Sequence, residues 1–143
     1  MTHFKILQVD WLIHQTALKA VREQVFIIEQ HVPVELEWDT ADGTATHFLA
    51  INEAGVAMAC VRILTDGHIG RMAVIKAFRG LGIGRTLLNQ AIMFCKAQGF
   101  SVVRLSAQKQ ALNFYAQAGF IVCSAEYIDA GIPHCDMKLN ISD

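Results

Sequence analysis

The glycine-rich segment at residues 79–86 combines residue types and spacing that suit phosphate binding. It follows an apolar run typical of a strand and precedes the periodic pattern of a helix. The first N–H groups of a helix lack internal acceptors, and the helix dipole makes that end positive. Glycines remove the Cβ atoms that would hold a phosphate away from the backbone. We therefore expect a phosphate or pyrophosphate on the N–H groups of residues 80–85, with further hydrogen bonds from Arg79 and Arg85.

Two common nucleotide-binding patterns do not fit this turn. The pattern GxGxxG fails because Arg85 or Leu87 stands where the last glycine is required. The pattern GxxxxGK[ST] fails because Arg79 replaces its first glycine and Arg85 replaces its lysine. A regulator that binds ATP or NAD here is therefore disfavoured, and a glycine turn without any ligand is the remaining alternative.

Charge is distributed unevenly along the 143 residues, whose formal net charge is −1. Residues 67–125 hold seven Lys or Arg and no Asp or Glu, which indicates an anion-binding half. Residues 29–42 carry five carboxylates and no Lys or Arg, which is typical of a solvated loop or of an acidic rim that attracts a cationic substrate. The absence of a basic excess argues against a nucleic-acid partner.

Cysteine and histidine spacing gives no metal-binding motif. The four cysteines form no CxxC pair, and the six histidines form no HxH or HExxH pattern, so we predict no metal site. No apolar run reaches the ~18 residues of a membrane span, and the first ten residues lack a signal-peptide pattern. We therefore expect a cytoplasmic protein without membrane contact.

The elements that must position these residues alternate between strands and helices, in a chain long enough for a single domain over residues 1–143. Strands are predicted at 4–9, 47–52, 56–64, 68–75, 101–107, 120–128 and 134–139, and helices at 12–28, 84–98 and 109–118. Residues 29–45 read as a long loop. The order β-α-β-β-β-α-β-α-β-β predicts a mixed α/β sheet with helices packed on it.

The glycine turn and its surroundings resemble the GNAT N-acetyltransferase superfamily. RGLGIG at residues 79–84 is similar to the acetyl-CoA pyrophosphate loop of that superfamily, and the resemblance extends through MAV at residues 72–74. NFYAQAGF at residues 113–120 is similar to its second helix end, and GIPH at residues 131–134 to the bacterial ElaA/YjcF-like subgroup. The resemblance implies a GNAT-like, mostly antiparallel central sheet of about seven strands flanked by helices.

The resemblance also implies acetyl-CoA as co-substrate and assigns the residues that bind it. The backbone around Met72, Ala73 and Val74 would pair with the pantetheine arm as an added strand does. The pyrophosphate would be held by Arg79, Gly80, Leu81, Gly82, Ile83, Gly84, Arg85 and Thr86. Asn113 would contact the cofactor near the second helix, whereas Gln108 stands where many members have an asparagine.

Tyr115 matches the tyrosine that, in the family, protonates the leaving thiolate. The alternative role for this ring is packing between a helix and the sheet. A phenol is a plausible donor to a sulfur whose thiol has a pKa near ~8.5. We therefore predict that Tyr115 is the general acid.

The proton acceptor is harder to assign from the sequence. An amine with a pKa near ~10.4 is about 0.04% neutral at pH 7, so a base or a water chain must take its proton. His68 opens the strand where some family members place a catalytic glutamate, although it also fits a surface turn. Glu29 and Glu37 are candidates to hold the ammonium group, and His134 is expected to face the acceptor pocket.

These residues predict an acetyl-CoA-dependent N-acetyltransferase. It would move an acetyl group to a primary amine of a small-molecule or peptidyl acceptor by direct attack in a ternary complex. The alternative is a non-catalytic acyl-CoA-binding sensor that keeps the pocket without turnover. The presence of Tyr115 and of usable bases favours the enzyme. An apolar sheet edge is also compatible with a homodimer.

Overall fold

The computed structural model describes residues 3–142, and its strands form one mixed sheet. Eight strands lie in that range: β1 (Phe4–Val9), β2 (Thr46–Asn52), β3 (Ala57–Ile63), β4 (His68–Val74), β5 (Val102–Gln108), β6 (Ile121–Val122), β7 (Tyr127–Asp129) and β8 (Ile132–Asn140). Their order is β1-β2-β3-β4-β5-β8-β6, and β7 also pairs with β8. All pairs are antiparallel except β4 with β5. The predicted mixed, mostly antiparallel sheet is confirmed.

The additional strand arises because the segment predicted as one strand at 120–128 is interrupted. The backbone N–H of Cys123 still donates to the carbonyl oxygen of Asp136, at 2.8 Å. The next acceptor on the ladder is the Ser124 hydroxyl, which receives the N–H of Asp136, also at 2.8 Å. A side chain therefore replaces a backbone carbonyl at this point, and β6 and β7 form separately along one edge of β8.

Four α-helices lie within the described range: α1 (Trp11–Arg22), α2 (Val34–Glu37), α3 (Ile83–Ala97) and α4 (Leu112–Ala116). The Asp10 carboxylate caps α1, accepting the N–H of Leu12 at 2.7 Å. α3 starts after Gly82, within one residue of the predicted start. The helix predicted at 109–118 is a 3₁₀ turn (Lys109–Ala111) followed by the short α4.

α1 continues into a π-helical segment, Glu23–Glu29, where the sequence predicts one uninterrupted helix. The N–H of Gln30 donates to the carbonyl oxygen of Val25, five residues back, at 3.1 Å. A π-helical turn is wider than an α-helical turn and often occurs at functional sites. Here it carries Val25, Phe26 and Glu29 to the cleft described below.

The segment predicted as a long loop at 29–45 is held against the fold by buried ion pairs. Glu37 and Asp42 are almost inaccessible, and both bind Arg22 of α1, at 2.8 and 2.7 Å. Arg62 of β3 binds Asp42 at 3.1 Å and Asp39 at 2.8 Å. Buried charges are tolerated when they are paired in this way. The acidic segment thus forms α2 and a 3₁₀ turn, Thr40–Gly43, against the sheet.

Apolar side chains cover both faces of the sheet. On one face, Leu18 and Val21 of α1 pack with Leu49, Cys60 and Ala73. On the other face, buried residues of α3 pack against β2, β3, β4 and β5. The two sets follow from the alternation of side chains along each strand. No helix within residues 3–142 is long and apolar enough to span a membrane.

β4 and β5 separate after a short paired stretch, and this separation opens the sheet. Within residues 3–142 the two strands pair at His68 with Arg104 and at Ile69 with Leu105. Immediately beyond, the register of β4 against β3 shifts, and Arg71 adopts a positive φ of 47°. These are the features of a β-bulge, which bends a strand away from its neighbour.

Candidate acyl-transfer site

A cleft of about 920 Å³ lies where β4 and β5 separate. It is bounded by the π-helical segment, the glycine turn before α3, the start of α4 and the β7–β8 hairpin. The predicted site residues among its lining are Glu29, Glu37, Met72, Ala73, Val74, Arg79, Gly80, Gly82, Ile83, Gly84, Arg85, Tyr115 and His134. The fold therefore brings most of the predicted site to one opening.

Four predicted residues are not among the described residues that line this cleft. Leu81, Thr86 and Asn113 are solvent-exposed at its margin, and the Thr86 hydroxyl donates to the carbonyl oxygen of Gly82 at 2.9 Å. His68 lies on the paired part of β4, before the cleft opens, and its Nδ1 is 3.0 Å from a carboxylate oxygen of Asp66. Its imidazole therefore has no direct contact with the cleft.

The glycine turn presents bare backbone to the cleft. Gly80 and Gly82 have φ values of 81° and 80°, which favour glycine, and a Cβ built at either position would meet no atom within 4 Å. The first helical hydrogen bond comes from Thr86, whose N–H donates to Gly82. Within residues 3–142, no backbone group accepts from the N–H groups of residues 80–85. The open space and the free donors fit a diphosphate at the start of a 15-residue helix.

Gly84 serves packing more than ligand access. A Cβ at this position would lie 3.5 Å from Phe114 of α4 and 3.5 Å from Val74 of β4. The absence of a side chain thus lets α3 begin close to both elements. Its N-terminus thereby stays at the cleft.

Arg79 is already paired across the mouth of the cleft. Its guanidinium donates two hydrogen bonds to the carboxylate of Glu29, at 2.8 and 2.7 Å, and its Nε donates to the carbonyl oxygen of Val74 at 2.9 Å. These hydrogen bonds hold the pKa of Glu29 below its usual range. The pair joins the π-helical segment to the glycine turn, so that Arg79 is oriented before any ligand binds.

The open edge of β4 offers a second backbone surface. From Gly70 to the end of β4, the side facing β5 has no strand partner within the described residues. Met72, Ala73 and Val74 lie on this stretch and line the cleft. An extended chain with amide groups could add to such an edge as a strand does.

Tyr115 projects from α4 into the cleft between two aromatic rings. Its ring centroid lies 5.1 Å from that of Phe114 and 6.0 Å from that of Phe120, both in edge-to-face geometry. Desolvation raises the pKa of its phenol to about 12. The hydroxyl is therefore protonated near neutral pH and can donate a hydrogen bond.

Glu37 lies at the base of the cleft in the buried ion-pair network. Its carboxylate is 2.8 Å from Nε of Arg22 and 3.1 Å from Nε of Arg71. Burial raises the pKa of Glu37 above its usual value, in spite of the two arginines. Both predicted acceptor-side glutamates are thus already paired with arginine.

Three glutamines form a hydrogen-bonded network in the cleft that the sequence does not reveal. The side-chain amide of Gln108 donates to Gln30 at 2.8 Å and accepts from Gln110. These contacts join the end of the π-helical segment to the end of β5. Neutral amides give little signal in a single sequence, and only the fold brings these positions together. In the sequence, Gln108 stands out only as a departure from the family pattern.

No group of three or more His, Cys, Asp or Glu side chains is arranged to hold a metal ion in the part of the chain that the structure describes. The side chains that line the cleft offer one phenol, an imidazole, a hydroxyl, amides, carboxylates and guanidinium groups, beside the backbone donors of the glycine turn.

Comparison with known proteins assigns the family. Residues 13–141 match the model of the acetyltransferase (GNAT) domain. The chain is 35% identical to the uncharacterized N-acetyltransferase YjcF of Bacillus subtilis, over 82% of this chain and 86% of that protein. It is also 35% identical to the protein ElaA of Escherichia coli, over 87% of this chain and 86% of ElaA.

Solved structures agree with this assignment. The crystal structure of Escherichia coli ElaA superposes with a TM-score of 0.82 and 30% identity, over 96% of this chain and 99% of that one. An acyl-CoA N-acyltransferase from Pseudomonas aeruginosa gives a TM-score of 0.81 and 29% identity over the same shares. The chain therefore belongs to the GNAT acetyltransferase family and is an acyltransferase.

Proposed function

We propose that this protein is an acetyl-CoA-dependent N-acetyltransferase that acetylates a primary amine of a small-molecule or peptidyl acceptor by direct attack in a ternary complex. The observation that carries the proposal is the set of unpaired N–H groups at residues 80–85, at the start of α3 and facing the cleft. The seven basic and no acidic residues of 67–125 support it, because they favour an anion on this side.

The backbone of the glycine turn binds the diphosphate of the co-substrate in this proposal. Gly80, Gly82 and Ile83 supply N–H donors, and Arg85 adds positive charge at the margin. Arg79 contributes from its pair with Glu29, which fixes the guanidinium beside the turn. Leu81 takes part through its backbone N–H, and Asn113 through its exposed position on α4. Thr86 supports the turn, because its N–H and its hydroxyl both donate to Gly82.

The open edge of β4 holds the pantetheine arm beside Met72, Ala73 and Val74, which directs the thioester toward Tyr115. Tyr115 then donates its phenolic hydrogen to the sulfur as the carbon–sulfur bond breaks. The raised pKa, about 12, keeps this donor protonated throughout the neutral and mildly alkaline range.

The acceptor binds on the opposite side, where Glu29, Glu37 and His134 line the cleft. Glu29 and Glu37 shape this side of the cleft, and their charges are balanced by ion pairs with arginine. His68, expected from the sequence as a base, cannot contact the acceptor directly, because its imidazole lies outside the cleft beside Asp66.

Two measurements on the wild-type protein test the proposal. Calorimetry with acetyl-CoA should show binding at one site per chain. Release of the CoA thiol should then depend on a primary amine from a panel of small amines, amino sugars, polyamines and peptides. Absence of binding would overturn the proposal, whereas binding without thiol release on every amine would favour an acyl-CoA sensor.

A further inference from the structure

We propose that His134 is the general base of the transfer and that Asp129 is the counter-ion for the acceptor ammonium group. Both residues belong to the β7–β8 hairpin, on the acceptor side of the cleft. This inference rests on the proposed acetyl transfer. It identifies the atom that takes the proton, and it specifies that the acceptor enters the cleft as a cation.

The hairpin places both side chains on one face. Its turn consists of Ala130 and Gly131, with φ values of 53° and 78°, as a two-residue turn with positive φ at both positions requires. The register pairs Asp129 with Ile132 and Tyr127 with His134. Side chains two residues apart on a strand share a face, so Asp129 and His134 are diagonal neighbours.

Backbone geometry sets the tautomer of His134. Its Nδ1 lies 2.7 Å from the carbonyl oxygen of Ile132. A carbonyl oxygen can only accept, so Nδ1 carries the hydrogen and the neutral ring keeps its lone pair on Nε2. Nε2 is therefore the atom that can accept a proton from an acceptor in the cleft.

The ring of His134 is held in place by Tyr127. The two rings stack with centroids 5.9 Å apart and an angle of 18° between their planes. The Tyr127 hydroxyl donates to the carboxylate of Asp136 at 2.5 Å and is also hydrogen-bonded to Ser106. Tyr127 is thus a positioning residue, fixed by its own hydrogen bonds. The hydrogen bond to Ile132 and the stacking on Tyr127 hold the imidazole in one orientation before it takes up a proton.

Asp129 differs from the other carboxylates of the cleft. Glu29 is paired with Arg79, and Glu37 with Arg22 and Arg71. Asp129 is exposed and has no ion pair with any described residue, although it lines the same cleft. It is therefore available to bind a cation that enters from solvent.

The groups that surround His134 favour a cation as well. Asp129 and Tyr127 face it from β7, and Asp136 lies two residues along its own strand. On β5, Gln108 is directly opposite in the register. These neighbours include two carboxylates and no Lys or Arg, so an ammonium ion is attracted to this side of the cleft.

The proton balance of the step is complete with these residues. Nε2 of His134 takes one proton from the ammonium group and later releases it to water. The neutral nitrogen then forms a bond to the thioester carbonyl carbon, and the electron pair of the broken carbon–sulfur bond leaves with sulfur. Nitrogen then loses its second proton through water to the Tyr115 phenolate, which restores the phenol that protonated the sulfur.

The first test measures the imidazole without any acceptor. Nitrogen NMR of the protein, with His134→Gln to assign the resonance, should show that the neutral form of the ring carries its hydrogen on Nδ1. The acetyl-CoA dissociation constant of His134→Gln, measured by calorimetry, should stay within about twofold of wild type. A ring with hydrogen on Nε2 would overturn the base assignment.

The second test measures turnover against pH with n-butylamine and with hydroxylamine, an amine that is already neutral at pH 7. His134→Gln should lower kcat with n-butylamine by about 100-fold and affect hydroxylamine less. It should also move the acidic limb of the n-butylamine profile to higher pH, because only the ionisation of the amine itself then supplies the neutral nucleophile. His3→Gln, an exposed histidine outside the cleft, is the matched control and should behave as wild type. A wild-type profile in His134→Gln, or the same shift in His68→Gln instead, would overturn the inference.

The third test concerns Asp129. Asp129→Asn should raise the KM for n-butylamine about fivefold and leave kcat and acetyl-CoA binding nearly unchanged. An unchanged KM would remove the counter-ion role. A wild-type protein that fails to bind acetyl-CoA would overturn the proposed function itself, whereas binding and turnover that ignore both variants would overturn the present inference alone.

Discussion

At the scale of single residues, burial prepares Tyr115 for its proposed role as a donor. Phe114 and Phe120 pack against the ring, and they reduce the water that could stabilise a phenolate. The pKa of about 12 makes Tyr115 a weak acid in the resting protein. The phenol therefore stabilises the departing sulfur by a hydrogen bond, and transfers the proton only as negative charge develops there.

Replacing Tyr115 by Phe should separate catalysis from binding. The substitution keeps the ring and its packing and removes the hydroxyl, so we expect kcat to fall by about 10- to 100-fold. The dissociation constant for acetyl-CoA should stay near that of wild type. Thiol release and calorimetry measure the two quantities. Unchanged kcat would assign Tyr115 to packing.

Titration at high pH tests the environment of the same phenol. The folded-state pKa of Tyr115 lies above the ordinary value of ~10, so its contribution to stability is present below pH ~10 and is lost as pH rises through about 12. Ultraviolet absorbance should show a phenol that ionises near pH 12 in wild type and is missing from Tyr115→Phe. Complete ionisation of both tyrosines near pH 10 would contradict the buried environment.

At the scale of elements, the sequence predicts best where local chemistry decides. The start of α3 was predicted within one residue, because the glycines and the periodic pattern after them are local signals. The π-helical segment was not predicted, since periodicity at spacings of three and four does not distinguish it from an α-helix. The acidic segment reads as a solvated loop or an acidic rim in the sequence, because its arginine partners come from distant elements, α1, β3 and β4.

The glycine turn allows a comparison between two glycines of equal backbone geometry. Gly82 and Gly55 both have a φ of 80°, and a Cβ at either meets no atom within 4 Å. Gly82→Asp should raise the acetyl-CoA dissociation constant about 100-fold or more, because it places a carboxylate where phosphate binds. Gly55→Asp, in the turn between β2 and β3, carries the same strain of about 1 kcal/mol and should leave affinity unchanged.

Calorimetry on both variants decides the comparison. Equal losses of affinity would show that backbone strain, and not charge at the turn, weakens binding. Retained affinity in Gly82→Asp would remove the glycine turn as the diphosphate site.

The buried network that joins α1 to the acidic segment should be costly to break. Arg22→Met removes the buried cation that Glu37 and Asp42 share and leaves each carboxylate with one arginine, Arg71 or Arg62. We expect the free energy of unfolding to fall by about 3–5 kcal/mol. Lys109→Met removes the cation of an exposed pair with Glu126 and should cost less than about 1 kcal/mol. Denaturant unfolding of both variants measures the difference, and equal costs would contradict the structural role of the network.

At the scale of the whole molecule, the cleft between β4 and β5 is lined by two surfaces that differ in charge. The side of the glycine turn belongs to the stretch of sequence without carboxylates. The opposite side carries Glu29, Glu37 and Asp129. The sequence revealed this division as a charge asymmetry. It could not reveal which carboxylates are paired, because pairing depends on how distant elements meet.

Binding of the co-substrate should therefore stabilise the whole fold, because the ligand contacts both the glycine turn before α3 and the edge of β4. At a concentration of acetyl-CoA 100 times its dissociation constant, the expected gain is about 2.7 kcal/mol, which raises the Tm of a chain of this length by roughly 8 °C. The shift should shrink as NaCl is added at fixed ligand concentration, since contacts of the diphosphate near the surface are screened. Differential scanning fluorimetry with acetyl-CoA and with ATP measures both effects, with Gly82→Asp as the variant that should show no shift. A shift with ATP and none with acetyl-CoA would mean that the turn recognises a nucleotide triphosphate, because the pantetheine contacts along β4 would then contribute nothing.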